Sequence, residues 1–253
     1  VYIEPQEALN YNNELISLMY AEKREVERIL LELTAKIGEF SSELKSNLRV
    51  IAQLDSLQAR VLYSRKINGV TPVLQKNPSL TLLNGKNPLL LESIGYEQTV
   101  PVSIDFSSCK TIIISGPNAG GKTAALKTAG LLLLMVKSGI QIPVDPDSVF
   151  GFFESLYIEI GDNQSIEDNL STFSSHLKNL NDIVSHADSS SLVLLDEVGN
   201  GTEPNAGAGL AAAVLKHLID KGSYTLATTH YAKLKSLSDT DPRIQNAGFD
   251  FDI

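Results

Sequence analysis

Basic residues are in short supply in this sequence. Its 21 Lys and Arg stand against 30 Asp and Glu, a formal net charge of −9. That excess of acid argues against a free-standing cationic clamp for nucleic acid, while leaving room for a local basic patch. Cysteine is nearly absent. Cys109 stands alone, so no internal disulfide forms, and a reducing, cytoplasmic compartment fits. No run approaches the roughly 18 apolar residues that cross a bilayer; Leu131–Val136 falls far short. A basic stretch leading into an apolar one is missing near the start, so no signal peptide is read. The first residue is not Met and the last five are strand-like, so the chain is expected to be a fragment of a longer protein. What is present is ordinary for a globular chain: 43% hydrophobic and 20% charged residues exclude wholesale disorder. At about 100–200 residues per domain, 253 residues make one large domain or two modest ones.

Composition divides the chain in two. Between Glu7 and Arg65 there is no proline and one glycine, Gly38. Val26, Leu30, Leu33, Ile37, Phe40, Leu44, Leu48, Ile51 and Leu54 recur at steps of three and four, which predicts helix with one apolar stripe. The stripe is close to a heptad, so its expected partner is another helix, and Gly38 is the expected break between two long helices. From Ile67 to Pro88 turn signals crowd together, Asn68-Gly69, Asn77-Pro78 and Asn84-Gly85 among them. A boundary here gives a helical segment over 1–67 and an α/β domain over 68–253. In the second part Thr111–Ser115, Phe153–Ile160, Leu192–Leu195 and Tyr224–Thr228 read as strands. Gly121–Ser138, Phe173–Ala187 and Pro204–Lys221 read as helices. The alternation predicts a mainly parallel sheet covered by helices.

The strongest chemical signal is Gly116-Pro117-Asn118-Ala119-Gly120-Gly121-Lys122-Thr123, which satisfies the P-loop pattern. Glycines let successive N–H groups turn inward onto phosphate oxygens, and the following helix adds its positive end. Lys122 is expected to reach the β- and γ-phosphates, and the Thr123 hydroxyl to bind Mg2+. The context is right: an apolar strand precedes the motif and a helix follows. A buried-strand pattern, Ser191–Leu195, ends in Asp196-Glu197. In P-loop enzymes an aspartate at such a strand end holds magnesium and a following glutamate can orient the attacking water, which makes Asp196 and Glu197 the candidates for those roles. His230 closes a third strand at the same expected edge and is a candidate γ-phosphate sensor. His176, His186 and His217 fall on helical stretches without metal-ligand companions, so surface or capping roles are expected of them. Adenine recognition is weakly encoded: tryptophan is absent, and Thr99 or Val100 would line that side.

These motifs occur with Gly161-Asp162-Asn163-Gln164-Ser165, Ser171-Thr172-Phe173-Ser174-Ser175-His176 and Gly199–Pro204. Together they resemble the ATPase domain of the MutS family, an ABC-type ATPase, from about Asn84 to Ile253. The helical part, with Ile3-Glu4-Pro5-Gln6, is similar to the core and lever helices that precede this domain. Mismatch-recognising members usually carry Glu where this chain has His176, and His where it has Asn87. Ser-Thr-Phe-Ser-Ser-His and Asp-Asn-Gln-Ser-Ile instead resemble the MutS-two paralogue subgroup. That subgroup lacks the mismatch-reading domain and typically ends in an Smr nuclease domain, which is not found in this sequence.

The resemblance implies an ATP-hydrolysing engine that dimerises head to tail around two ATP molecules. Each P-loop would face the partner's Ser171 and Thr172. Asp162 and Gln164 would lie near magnesium and the attacking water. Gly199–Pro204 would cross the interface. In such proteins the engine drives a clamp for branched DNA or for stalled or collided ribosomes. Other ABC-type machines carry a Leu-Ser-Gly-Gly signature, which this sequence lacks; a nucleotide-dependent dimerisation module with little turnover is the remaining alternative.

Overall fold

The computed structural model describes residues 5–116, 121–161, 169–200 and 202–248, with the backbone alone for 6–7, 169–173 and 232–233. The described chain separates into two compact units, Val1–Ala59 and Arg60–Ile253. Pro117–Gly120, Asp162 and Gln164 lie outside the described residues.

The first unit is helical. Helix α1 spans Gln6–Glu39 and α2 runs Ser41–Lys66, carrying on into the second unit. The interruption falls at Phe40, not at Gly38, which is helical. Phe40 adopts φ −102° and ψ 14°, and its N–H turns back to the Ile37 carbonyl at 3.1 Å. A single glycine costs a helix only about 1 kcal/mol, which a long helix absorbs. Pairs such as Arg28 with Glu25 and Glu32 line the polar face. The apolar stripe is exposed along its length, Leu30 at 57%, Leu48 at 65% and Leu54 at 60%. The helical partner that the heptad-like spacing calls for is therefore not within the described residues.

The second unit is layered α/β. After β1 (Val73–Gln75), β2 (Leu80–Gly85), α3 (Pro88–Ile94) and β3 (Val102–Asp105) come β4 (Thr111–Ser115) and α4 (Lys122–Lys137). The chain continues through β5 (Val149–Gly151), β6 (Ser155–Glu159), α5 (Asn169–His186), β7 (Ser191–Leu195) and α6 (Pro204–Asp220). It closes with β8 (Tyr224–Thr229), two short helices, α7 (Ala232–Lys235) and α8 (Leu237–Thr240), and β9 (Ile244–Gly248). The larger sheet has the order β6-β7-β8-β4-β9 and is parallel throughout. A smaller sheet, β1-β5-β2-β3, contains antiparallel pairs and is the part that the expected parallel sheet did not foresee.

Side-chain alternation explains the layers. Ile112, Ile114, Leu192, Leu194 and Leu226 enter one core with Leu126, Leu132 and Leu133 of α4 and with Leu80, Leu82 and Phe150 of the smaller sheet. Ile113, Val193, Leu195 and Ala227 point to the other face, against Leu180 and Ile183 of α5 and Leu215 and Leu218 of α6. Strands buried on both faces lose the polar alternation of a surface strand, which is why β4 and β7 read as continuous apolar runs. Asn87 caps α3, accepting from Leu89 N–H at 3.0 Å, and donates through Nδ2 to the Thr128 hydroxyl of α4 at 3.1 Å. A capping residue thus ties α3 to the helix that follows the P-loop.

Candidate active site

Parallel strands end together, and the loops beyond those ends form the crevice of an open α/β sheet. Ser115 is in register with Thr229, Leu195 with Ala227, and Glu159 with Leu195. Gly116, Asp196-Glu197 and His230 therefore leave one edge of the sheet side by side. Gly121, at φ +73°, precedes α4 as its N-cap. Lys122 is 2% exposed, and its Nζ donates to the Gly116 carbonyl at 2.7 Å. An ammonium buried this deeply needs a dipolar or anionic partner.

One cluster of hydrogen bonds joins the ends of β7 and β8 to the first turn of α4. Thr123 donates to Asp196 Oδ2 at 2.7 Å. Thr228, at the end of β8, donates to Asp196 Oδ1 at 2.5 Å and accepts from Glu197 N–H at 2.9 Å. Glu197 adopts φ +46°, a left-handed conformation that costs a non-glycine residue about 1 kcal/mol or more. Its Oε2 accepts from Asn200 Nδ2 at 2.5 Å. Beyond it Gly199, at φ +89°, packs backbone to backbone on Gly207 of α6, and Tyr231 donates its hydroxyl to the Gly199 carbonyl at 3.0 Å. Burial, with smaller contributions from the carboxylates of Glu197 and Glu203, holds the Tyr231 phenol above its ordinary pKa.

The Thr123 hydroxyl and the Asp196 carboxylate are the hard oxygen donors that suit Mg2+, and they already touch. The residues present thus fit that ion. His230 is exposed, its ring 4.3 Å from that of Tyr231. Ser171 and Thr172 fall in the first turn of α5. Thr99 is buried and donates to the Gly95 carbonyl, whereas Val100 is exposed at 78%.

Three participants escaped sequence reasoning. Thr228 was legible only as part of a Thr-Thr doublet, and Asn200 only as a loop residue. His176 is the third, beside the site: in place of the expected surface or capping role, it is half-buried and pairs with the buried Glu159 at the end of β6. The other two helical histidines are at the surface: His186 contacts the Asp182 carbonyl, and His217 is exposed in the last turn of α6.

Comparison with known proteins decides the family. The family model for MutS domain V matches residues 112–252, more than half of the chain. The chain belongs to the MutS family. Its whole length is 44% identical over 253 residues to "Endonuclease MutS2" of Pelotomaculum thermopropionicum, covering 32% of that protein. It is 42% identical over 253 residues to the protein of the same name from Clostridium kluyveri, and 42% over 255 residues to that from Halothermothrix orenii. The chain therefore spans about a third of the length of these MutS2 relatives. As a MutS-family chain it carries the ATPase-type domain on a P-loop α/β scaffold. No helix among the described residues is long and apolar enough to cross a membrane.

Proposed function

We propose that this chain is the ATP-hydrolysing engine of a MutS2-type protein, and that two copies close head to tail around two ATP molecules. The observation that carries this reading is the contact of Thr123 with Asp196, braced by Thr228 and adjoining Glu197. Bound Mg-ATP supplies the phosphoanhydride to be cleaved and a cation that offsets its charge. Lys122 exchanges its Gly116 partner for phosphate oxygens as a point charge. Thr123 and Asp196 hold the cation. Glu197 takes the proton of the attacking water, and His230, exposed at the next strand end, faces the γ-phosphate. Ser171 and Thr172 approach the partner's nucleotide from the first turn of α5, where hydroxyls and unpaired N–H groups favour phosphate. Pro117–Gly120, Asp162 and Gln164 complete the cradle in this reading. The helices α1 and α2 act as core and lever, their exposed stripe covered by helices of the full-length protein. Through them ATP-driven closure reaches a clamp for branched DNA or for a stalled ribosome.

One contact favours the second reading, a dimerisation module with little turnover: Asn200 holds the Glu197 carboxylate. The deciding experiment is the solution mass of the full-length Glu197→Gln protein by light scattering, with and without Mg-ATP, alongside wild-type turnover. A dimer that forms only with ATP, together with wild-type turnover abolished by Lys122→Ala, supports the engine. ATP-dependent dimerisation without turnover selects the module. A monomer at saturating ATP removes the sandwich.

A further inference from the structure

The Glu159–His176 pair has no part in the chemistry described above, yet it is built into the edge of the site. Glu159 is the last residue of β6 and is 7% exposed. Its carbonyl accepts the N–H of Asp196 at 2.8 Å. Its carboxylate Oε1 meets Nδ1 of His176, in the second turn of α5. One buried residue therefore holds Asp196 with its backbone and α5 with its side chain. The ring is also given room. A Cβ on Gly161 would stand 2.5 Å from His176 Cε1, so the imidazole occupies space that only glycine leaves open. Thr172 precedes His176 by four residues, one helical turn along α5. A buried carboxylate that loses its partner is left uncompensated, so the pair is under strong pressure to stay formed.

We propose that Glu159 and His176 are a positioning pair that fixes the first turn of α5 against the strand end bearing Asp196 and Glu197. The proposal rests on the ATPase reading given above. In that reading Ser171 and Thr172 act on the partner's nucleotide, while Asp196 and Glu197 act on the chain's own. The pair sets the spacing between the two half-sites that one protomer contributes. In that reading neither Glu159 nor His176 contacts the nucleotide, so their loss is expected to spare nucleotide affinity and lower turnover.

The test uses the full-length protein and three variants: His176→Ala, His176→Asn, whose amide nitrogen replaces Nδ1, and Glu159→Gln. For His176→Ala we expect kcat at saturating ATP to fall about 10-fold or more, because small misplacements at a reacting centre are costly. Affinity for a fluorescent ADP analogue is expected to stay within about twofold, since the P-loop lies on a different strand and helix. Amide hydrogen exchange over 169–175, without nucleotide, is expected to quicken by about 10-fold as the turn loosens. His176→Asn is expected to restore most of both. Unchanged exchange and unchanged kcat overturn the proposal. So does a parallel loss of ADP affinity, kcat and urea midpoint, which marks a merely structural clasp, or an Asn variant no better than Ala. A wild-type protein inert to ATP overturns the ATPase reading itself, and quickened exchange in His176→Ala then leaves a clasp without a catalytic role.

Discussion

Thr228 donates its hydroxyl proton to Asp196 at 2.5 Å, and the same oxygen accepts the backbone N–H of Glu197. One side chain, 1% exposed, thereby sets both acids of the site from the neighbouring strand. The bond to Asp196 leaves Oδ2 turned toward Thr123. The bond from Glu197 N–H fixes a residue whose left-handed backbone would otherwise relax.

Thr228→Val keeps the shape and removes the hydroxyl. It leaves a buried N–H and a carboxylate oxygen without that partner, a cost of about 1–3 kcal/mol in stability. Turnover is expected to fall by about 10- to 100-fold as Asp196 and Glu197 lose their alignment. Thr228→Ser is expected to recover most of both losses. Steady-state kinetics and urea unfolding of the three proteins check this. A Val variant as active as wild type would make the hydroxyl a packing detail.

Asn200 and Glu197 offer a different kind of test. The amide donates to the carboxylate proposed to take the proton from water, so that oxygen has to leave Asn200 before it can meet the water. Asn200→Ala is expected to raise kcat by about 2- to 10-fold, the worth of one hydrogen bond of about 0.5–1.5 kcal/mol. A fall in kcat instead would identify Asn200 as the group that orients Glu197. The measurement is ATP turnover across a range of enzyme concentrations, so that a change in dimerisation is separated from a change in chemistry.

What the sequence made legible, and what it did not, follows from where each constraint lives. The P-loop strand, the Asp196-Glu197 strand and the His230 strand could be read because β4 and β7 are buried on both faces and their chemistry follows directly at the C-terminal ends. Helices α4 and α6 carried strong local signals and fell within a residue or so of their expected bounds. The smaller sheet was missed. Strand β1 has three residues, all exposed, and β5 has three, too few for a period to show. Strand β2 lies among turn dipeptides that mask it. The pairing of His176 with Glu159 spans 17 residues and depends on α5 docking beside β6, which no local pattern records. Thr228 looked like any β-branched strand residue because its hydroxyl finds partners only when β7 lies alongside β8.

Two glycines of α6 separate packing from propensity. A Cβ on Gly207 would stand 2.3 Å from the Gly199 carbonyl oxygen and 2.6 Å from the Tyr231 hydroxyl, whereas a Cβ on Gly209 would meet nothing within 4 Å. Both lie within one helix, where alanine is favoured over glycine by roughly 0.8–1.0 kcal/mol. At Gly209 that preference acts alone, so Gly209→Ala is expected to stabilise the chain by up to about 1 kcal/mol. At Gly207 the new methyl group strikes backbone that cannot yield without moving the loop after Glu197, and overpacking of this kind costs about 1–3 kcal/mol. Gly207→Ala is therefore expected to lower the urea midpoint while Gly209→Ala raises it. Because that loop also carries Asn200, Gly207→Ala is expected to reduce turnover as well, and Gly209→Ala to leave it unchanged. Equal shifts of the two midpoints would show that the Gly199–Gly207 contact is not tight in solution and that the loop's geometry is set elsewhere.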